Sequence, residues 1–111
     1  MQNHFEIHFL KDAAEFLDKI EKKAKEKIIY NMWKARATRD KELFKKLNGE
    51  IWEFRTLFKK TQYRFLAFWD KSNNSETIVI TTHGIIKKRG KVPQSDIDKA
   101  EQTRKKYLEQ K

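Results

Sequence analysis

The sequence predicts an α+β fold: a small, antiparallel-rich sheet with N-terminal helices packed on one face and a further helix at the C-terminal end. Three observations carry this. Apolar residues between Phe16 and Ala35 recur at helical steps. Ile51–Phe58, Thr61–Asp70 and Glu76–His83 are aromatic or β-branched runs of strand length. An amphipathic segment follows Pro93. The expected order is β-α-α-β-β-β-α, in a single domain spanning 1–111.

Phe5-Glu6-Ile7-His8-Phe9 alternates apolar and polar residues and reads as a short first strand. From Asp12 the period becomes helical, with Phe16, Leu17, Ile20, Ala24, Ile28, Met32 and Ala35 on one stripe. This is one long helix or a pair, with Glu21-Lys22-Lys23 as the point of a break and no Gly or Pro to force it. Thr38-Arg39-Asp40 closes the region, and Lys41–Leu47 reads as a short connection with some helical character. Asn48-Gly49 is turn chemistry immediately before the next strand.

Along Ile51–Phe58, Trp52, Phe54, Thr56 and Phe58 share the face expected against the helices, while Ile51, Glu53, Arg55 and Leu57 share the other. Lys59-Lys60 forms a hairpin tip, and Thr61–Asp70 returns with Arg64 inside an otherwise apolar run. Lys71–Ser75 is a plain loop, and Glu76–His83 is a β-branched central strand running into the basic loop Gly84–Pro93. In the last helix, Ser95 with Asp98 is a variant capping box, and Ile97, Ala100, Arg104, Tyr107 and Leu108 mark the inner side.

Composition narrows the function. Hydrophobic and charged residues each make up 38% of the 111, so the core is compact and the surface densely charged. Without cysteine there is no disulfide framework and no cysteine-based metal site. No apolar run reaches the roughly 18 residues that span a bilayer, and the start lacks the basic flank and apolar run of a signal peptide. The expectation is therefore a cytoplasmic protein with no membrane association. The net charge of +10 attracts polyanions. It is concentrated: Arg55 to Arg64 holds four basic residues and no acid, and Gly84 to Pro93 holds another four with none. Elsewhere Lys alternates with Glu and Asp, as on solvated helices.

Several chemistries lack their residues. The glycines Gly49, Gly84 and Gly90 do not fall in phosphate-loop spacing. His4 and His8 lie on one extended segment about 13 Å apart, too far for one ion. No nucleophile elbow presents a serine. What remains is Arg, Lys and His on strands and an adjoining loop. RNA cleavage by attack of its own 2′-hydroxyl needs a base, cationic donors for the phosphate and an acid for the leaving oxygen. Arginine forks match phosphate oxygens. Lys87 or Lys88, crowded by like charges, would exchange protons nearer neutrality, and His83 titrates in the right range unaided. Each residue also has a structural reading. Arg55 pairs with Glu53, Arg64 guards a sheet edge against aggregation, His83 ends a strand, and the lysines belong to a solvated loop.

At these residues the chain resembles a known group. Leu47-Asn48-Gly49-Glu50-Ile51-Trp52-Glu53-Phe54-Arg55, then Tyr63-Arg64-Phe65, then His83-Gly84-Ile85-Ile86-Lys87-Lys88, then Pro93 and its helix, resemble the RelE/ParE toxin superfamily, and most of all its HigB-type, phage-derived branch. The resemblance implies a RelE-like fold and the toxin of a type II toxin–antitoxin pair. Such a toxin is a metal-independent, cofactor-free endoribonuclease that cuts mRNA in the ribosomal A site. Its implied partners are the ribosome, mRNA and an acidic helix-turn-helix antitoxin encoded nearby. Carried over by residue, Arg64 is the phosphate-binding arginine, Arg55 a basic active-site residue, Lys87 and Lys88 the pair after the last strand, and His83 a lesser candidate. Lys59, Lys60, Arg89 and Lys91 are the expected RNA-binding residues.

Two departures stand out. Glu53 occupies the active-looking strand where a further basic residue is expected, so it either holds Arg55 or serves as the base. The chain also continues into a long helix instead of ending near a catalytic tyrosine; Tyr107 on that helix is expected to face the core. The competing reading is a ParE-like inhibitor that binds a DNA topoisomerase and catalyses nothing. A plain RNA- or DNA-binding domain lacks the exposed stacking aromatics such domains use.

Overall fold

A computed structural model describes residues 5–72 and 77–111. Met1 to His4, and with them the His4–His8 pairing, lie outside the described residues, as do Asn73, Asn74 and Ser75 of the expected loop and Glu76 at the expected strand start.

The elements are β1 (Glu6–Phe9), α1 (Lys11–Lys19), α2 (Lys22–Thr38), β2 (Phe44–Asn48), β3 (Ile51–Phe58), β4 (Thr61–Asp70), β5 (Ile78–Lys87) and α3 (Gln94–Glu109). They build a five-stranded sheet in the order β1-β5-β4-β3-β2. β1 pairs parallel with β5, and every other pairing is antiparallel. This is the expected α+β architecture with one strand more.

The helical region is a pair. Ile20 and Glu21 both adopt extended backbone, which re-aims the chain with no Gly or Pro at the break. α2 ends where Arg39 turns left-handed at φ 54°, its N–H donating to the Ala35 carbonyl. The Arg39 guanidinium lies 5.2 Å from the Trp69 ring centre, so the cap also roofs an aromatic core.

β2 corrects the expected helical connection. Phe44-Lys45-Lys46-Leu47-Asn48 is short, with two lysines among its five residues, and its local pattern does not mark a strand. Tertiary packing decides: Phe44 stacks on Phe54 at 4.4 Å and on Trp52 at 4.8 Å. Gly49, at φ +56°, makes the tight return into β3. β5 corrects a second boundary, because it continues through Gly84 to Lys87 and the basic loop begins only at Lys88. Its glycine is needed inside the strand. A Cβ there would come within 2.5 Å of Phe16 and 2.9 Å of Phe65, so only glycine lets α1 lie on the sheet.

Apolar side chains pack on both faces of the sheet. On one, Phe5, Phe54, Phe65 and Trp69 meet Leu17 of α1 and Ile28 and Met32 of α2. Asn31 donates to Thr56 across this layer at 3.0 Å. On the other, Ile51, Leu66, Phe68 and Ile80 pack under Ala100 of α3. β4 runs down the middle and is buried on both faces from Tyr63 to Asp70. An edge-guarding role for Arg64 is thereby excluded, since β4 is the centre of the sheet.

α3 starts one residue earlier than the expected cap. Pro93 stands at the N-cap and makes no side-chain cap, while Asp98 accepts from Gln94 instead of completing a box with Ser95. Ile97, Ala100 and Tyr107 face inward as expected, but Leu108 is exposed and Arg104 pairs with Glu101 on the helix surface. The helix is fastened at its far end. Tyr107 donates to Asp70 at 2.7 Å and Lys111 at 2.8 Å, while Ser72 donates to the other carboxylate oxygen. Burial works to raise the Asp70 pKa, but these hydrogen bonds outweigh it and hold the carboxyl well below its usual range. Among the described residues no helix is long and apolar enough to cross a membrane.

Candidate active site

α3 covers only part of its face of the sheet. Beside it, β2, β3, β4, the end of β5 and the loop before α3 surround a cleft of about 480 Å³. Strand alternation places its floor. Glu53 and Arg55 are two residues apart on β3 and so share a face. Arg64 enters from β4, directly opposite Arg55 in the register.

Two cations at directly paired positions repel. Glu53 resolves this by reaching between them: its Oε2 lies 3.6 Å from Arg55 Nε, and its Oε1 lies 3.2 Å from Arg64 Nε. Arg64 is 4% exposed and is oriented further by its own neighbours, donating to the Tyr63 carbonyl at 3.1 Å and to Gln62 Oε1 at 2.7 Å. The ion pairs are close but poorly aligned. Glu53 Oε1, Arg55 Nε and Arg64 Nε are buried without a hydrogen-bond partner among the described residues. Such unspent capacity is uncommon in a packed interior.

The cleft is strongly positive. Lys45, Lys46, Arg55, Arg64, Lys87 and Lys91 line it, against the single carboxylate of Glu53. Burial pushes the Glu53 pKa up, opposed by the charges of Arg64, Arg55, Lys45 and Lys87. Burial also pulls Arg64 below its usual value; Glu53 opposes that and Arg55 adds to it. A guanidinium nevertheless keeps its charge throughout the physiological range. The arrangement can therefore clamp a phosphate with planar donors and hold a carboxylate of raised basicity beside it.

The residues singled out from the sequence divide into two groups. Arg55, Arg64, Lys87 and Lys91 come together in the cleft. Lys87 donates to the Gly90 carbonyl at 2.6 Å, which folds the loop over the end of β5. Lys88 and Arg89 are exposed on that loop and do not line the cleft. Lys59 and Lys60 stand at the β3–β4 tip, both with positive φ, and Lys59 reaches toward Glu21 at the start of α2, on the opposite side of the sheet.

His83 is inside β5 and not at its end. It is 3% exposed, with Nδ1 2.9 Å from Thr82 Oγ1 and Nε2 3.2 Å from Asp96 of α3. Burial lowers its pKa despite the hydrogen bond to Asp96, so this imidazole sits beneath the helix and outside the cleft lining. Tyr107 is likewise remote, committed to Asp70 six residues along β4 from Arg64, about 20 Å away.

Sequence reasoning missed Lys45, Lys46 and Gln62. The lysines were hidden with β2 itself. The Asn48-Gly49 turn was the available signal, because it implies a strand on each side. Among the described residues no group of three or more His, Asp or Glu is placed to hold a metal ion.

Comparison with known proteins agrees with this fold. The fold is that of the E. coli toxin RelE: a structure of its double arginine-to-alanine mutant in the free state superposes with a TM-score of 0.61, covering 91% of this chain and 97% of that one at 13% identity. The intact E. coli RelBE toxin–antitoxin complex superposes with a TM-score of 0.56 over 77% of this chain and 99% of that one, at 12% identity. No curated protein matches the chain by sequence. The profile of the family described as phage derived protein Gp49-like (DUF891) matches residues 15–105. With most of its length matched by that profile, the chain belongs to the phage derived protein Gp49-like family.

Proposed function

We propose that this protein is the toxin of a type II toxin–antitoxin pair, of the HigB-type branch, and that it cleaves mRNA on the ribosome in the cytoplasm. The observation that carries the reading is the cleft, where two arginines face each other across paired strands with one buried carboxylate between them. The RelE fold supports it, as does the RelBE complex among structures of the same fold.

In the proposed reaction the RNA 2′-oxygen forms a bond to the adjacent phosphorus while the bond to the 5′-oxygen breaks. A 2′,3′-cyclic phosphate and a 5′-hydroxyl result, with no metal required. Arg55 and Arg64 hold the phosphate and offset its developing charge. Glu53 is the carboxylate beside them, with its basicity raised by burial, and accepts the 2′-proton. Lys87, at the cleft rim, delivers a proton to the leaving oxygen. Lys45, Lys46 and Lys91 hold flanking phosphates, with Lys88 and Arg89 making outer contacts. The neutralising partner is an acidic antitoxin of helix-turn-helix type, complementary to a chain of net charge +10.

The test is a translation extract supplied with the purified protein, with mRNA breaks mapped against ribosome position. Breaks confined to A-site codons and abolished by Arg64→Ala are expected. Intact mRNA accompanied by blocked DNA supercoiling would overturn the reading in favour of a topoisomerase inhibitor, which has no evident use for inward-facing arginines.

A further inference from the structure

The core uses only one side of α2. Ala24, Ile28, Asn31, Met32 and Ala35 are buried against the sheet. The opposite side carries a second apolar stripe that no described residue covers: Tyr30 is 61% exposed and Trp33 62%, and with Ala37 and the half-buried Ile29 they line a shallow groove along the helix. Exposed aromatics scattered singly need no explanation, but a contiguous apolar stripe on an otherwise charged surface does.

Its spacing says what shape fits. Tyr30, Trp33 and Ala37 follow one another at steps of three and four, the alternation that forms the seam between two packed helices. Its residue types are those that anchor interfaces. Trp33 and Tyr30 stand out from the groove, and Arg36 lies 4.7 Å from the Trp33 ring centre. Its charge says what composition fits. α2 carries Lys22, Lys23, Lys25, Lys27, Lys34 and Arg36 against Glu26 alone. An apolar seam bordered by lysines complements a helix with apolar anchors and glutamate or aspartate flanks.

We propose that the outward face of α2 is a docking surface for an acidic amphipathic helix of a partner protein, with Trp33 and Tyr30 as its anchors. The surface lies on the opposite side of the sheet from the cleft, so a helix seated there leaves the cleft uncovered. This assignment does not depend on what the cleft does.

Calorimetric titration with a synthetic acidic peptide tests it. The peptide has about 18 residues, five helical turns, with Leu at seam positions and Glu on the flanks. A second peptide has the same leucines and Lys in place of Glu. Full-length protein is expected to bind the acidic peptide, with affinity falling about tenfold or more in Trp33→Ala and in Tyr30→Ala. Both variants should keep the parent Tm, since the side chains removed are mostly solvated. The lysine peptide should bind at least about tenfold more weakly than the acidic one. Equal affinity of the parent and Trp33→Ala for the acidic peptide would place it on the cleft cations and overturn the proposal. Absence of binding would do the same. So would Trp33-dependent binding to phosphatidylserine vesicles without binding to the peptide, which would make the face a membrane contact.

Discussion

Arg55 and Arg64 stand opposite each other on adjacent antiparallel strands, and the Glu53 carboxylate is what lets both remain charged there. Removing that charge also removes its burial penalty, which outweighs the pull of the arginines and raises the Glu53 pKa. Glu53→Gln is therefore expected to leave stability at pH 7 within about 1 kcal/mol of the parent, whereas Arg55→Ala, which strips the carboxylate of a partner, should cost about 1–2 kcal/mol. The double variant should lose less than the two single losses added together. Urea unfolding of the two single variants and the double variant measures the coupling.

The same carboxyl has a pKa raised in the folded state. Its contribution to stability is therefore full below the unfolded-state value and is lost as pH rises through the folded one. Glu53→Gln should remove this dependence. If Glu53 accepts the 2′-proton, the variant should also lose the acidic limb of the kcat/KM profile, which a purely structural role would leave in place.

Asp70 behaves in the opposite sense. Its pKa is depressed by the donors gathered on it, so its stabilisation is present above the unfolded carboxylate value near 4 and is lost as pH falls through the folded value. Asp70→Asn is expected to cost about 2 kcal/mol at pH 7 and to flatten the acid side of the stability curve. Amide exchange in the last turns of α3 should accelerate in the same variant, because Tyr107 and Lys111 lose their anchor.

Gly84 is the point where α1 rests on β5. Gly84→Ala places a methyl group against Phe16 and Phe65 and should destabilise by about 1–3 kcal/mol, with a changed near-ultraviolet circular dichroism spectrum.

The β3–β4 tip holds improvable strain. Lys59 and Lys60 adopt φ 49° and 66°, a turn geometry suited to Asn-Gly. Replacing the pair by Asn-Gly is expected to raise stability by about 1 kcal/mol in thermal unfolding, and to leave RNA cleavage intact because the tip is outside the cleft.

Much of the fold was legible in the residues. The strands Ile51–Phe58 and Thr61–Asp70 begin and end where the alternation and the Lys-Lys tip place them. The helical stripe through Ile28 and Met32 faces the core as its period requires. Phe44–Asn48 was not legible, because its strand state comes from Phe44 stacking on Phe54 and Trp52, a contact that local pattern does not encode. The end of β5 was obscured by Gly84, which looks like a loop residue until Phe16 is seen against it. In the cleft, the residue types were legible but the register was not. That Arg55 meets Arg64, that Glu53 lies between them, and that His83 turns under α3 are facts of pairing and burial across elements.

Arg64 belongs to the strand at the middle of the sheet, hydrogen-bonded on both sides and covered on both faces. A residue so placed shares the fate of the whole fold. Its backbone opens only when the sheet does. The floor at Arg64 thus has no half-assembled condition: heat or denaturant abolishes its geometry at the same midpoint as global unfolding, and any agent that silences Arg64 in the native protein does so by occupying the cleft or by blocking access, not by slackening that floor.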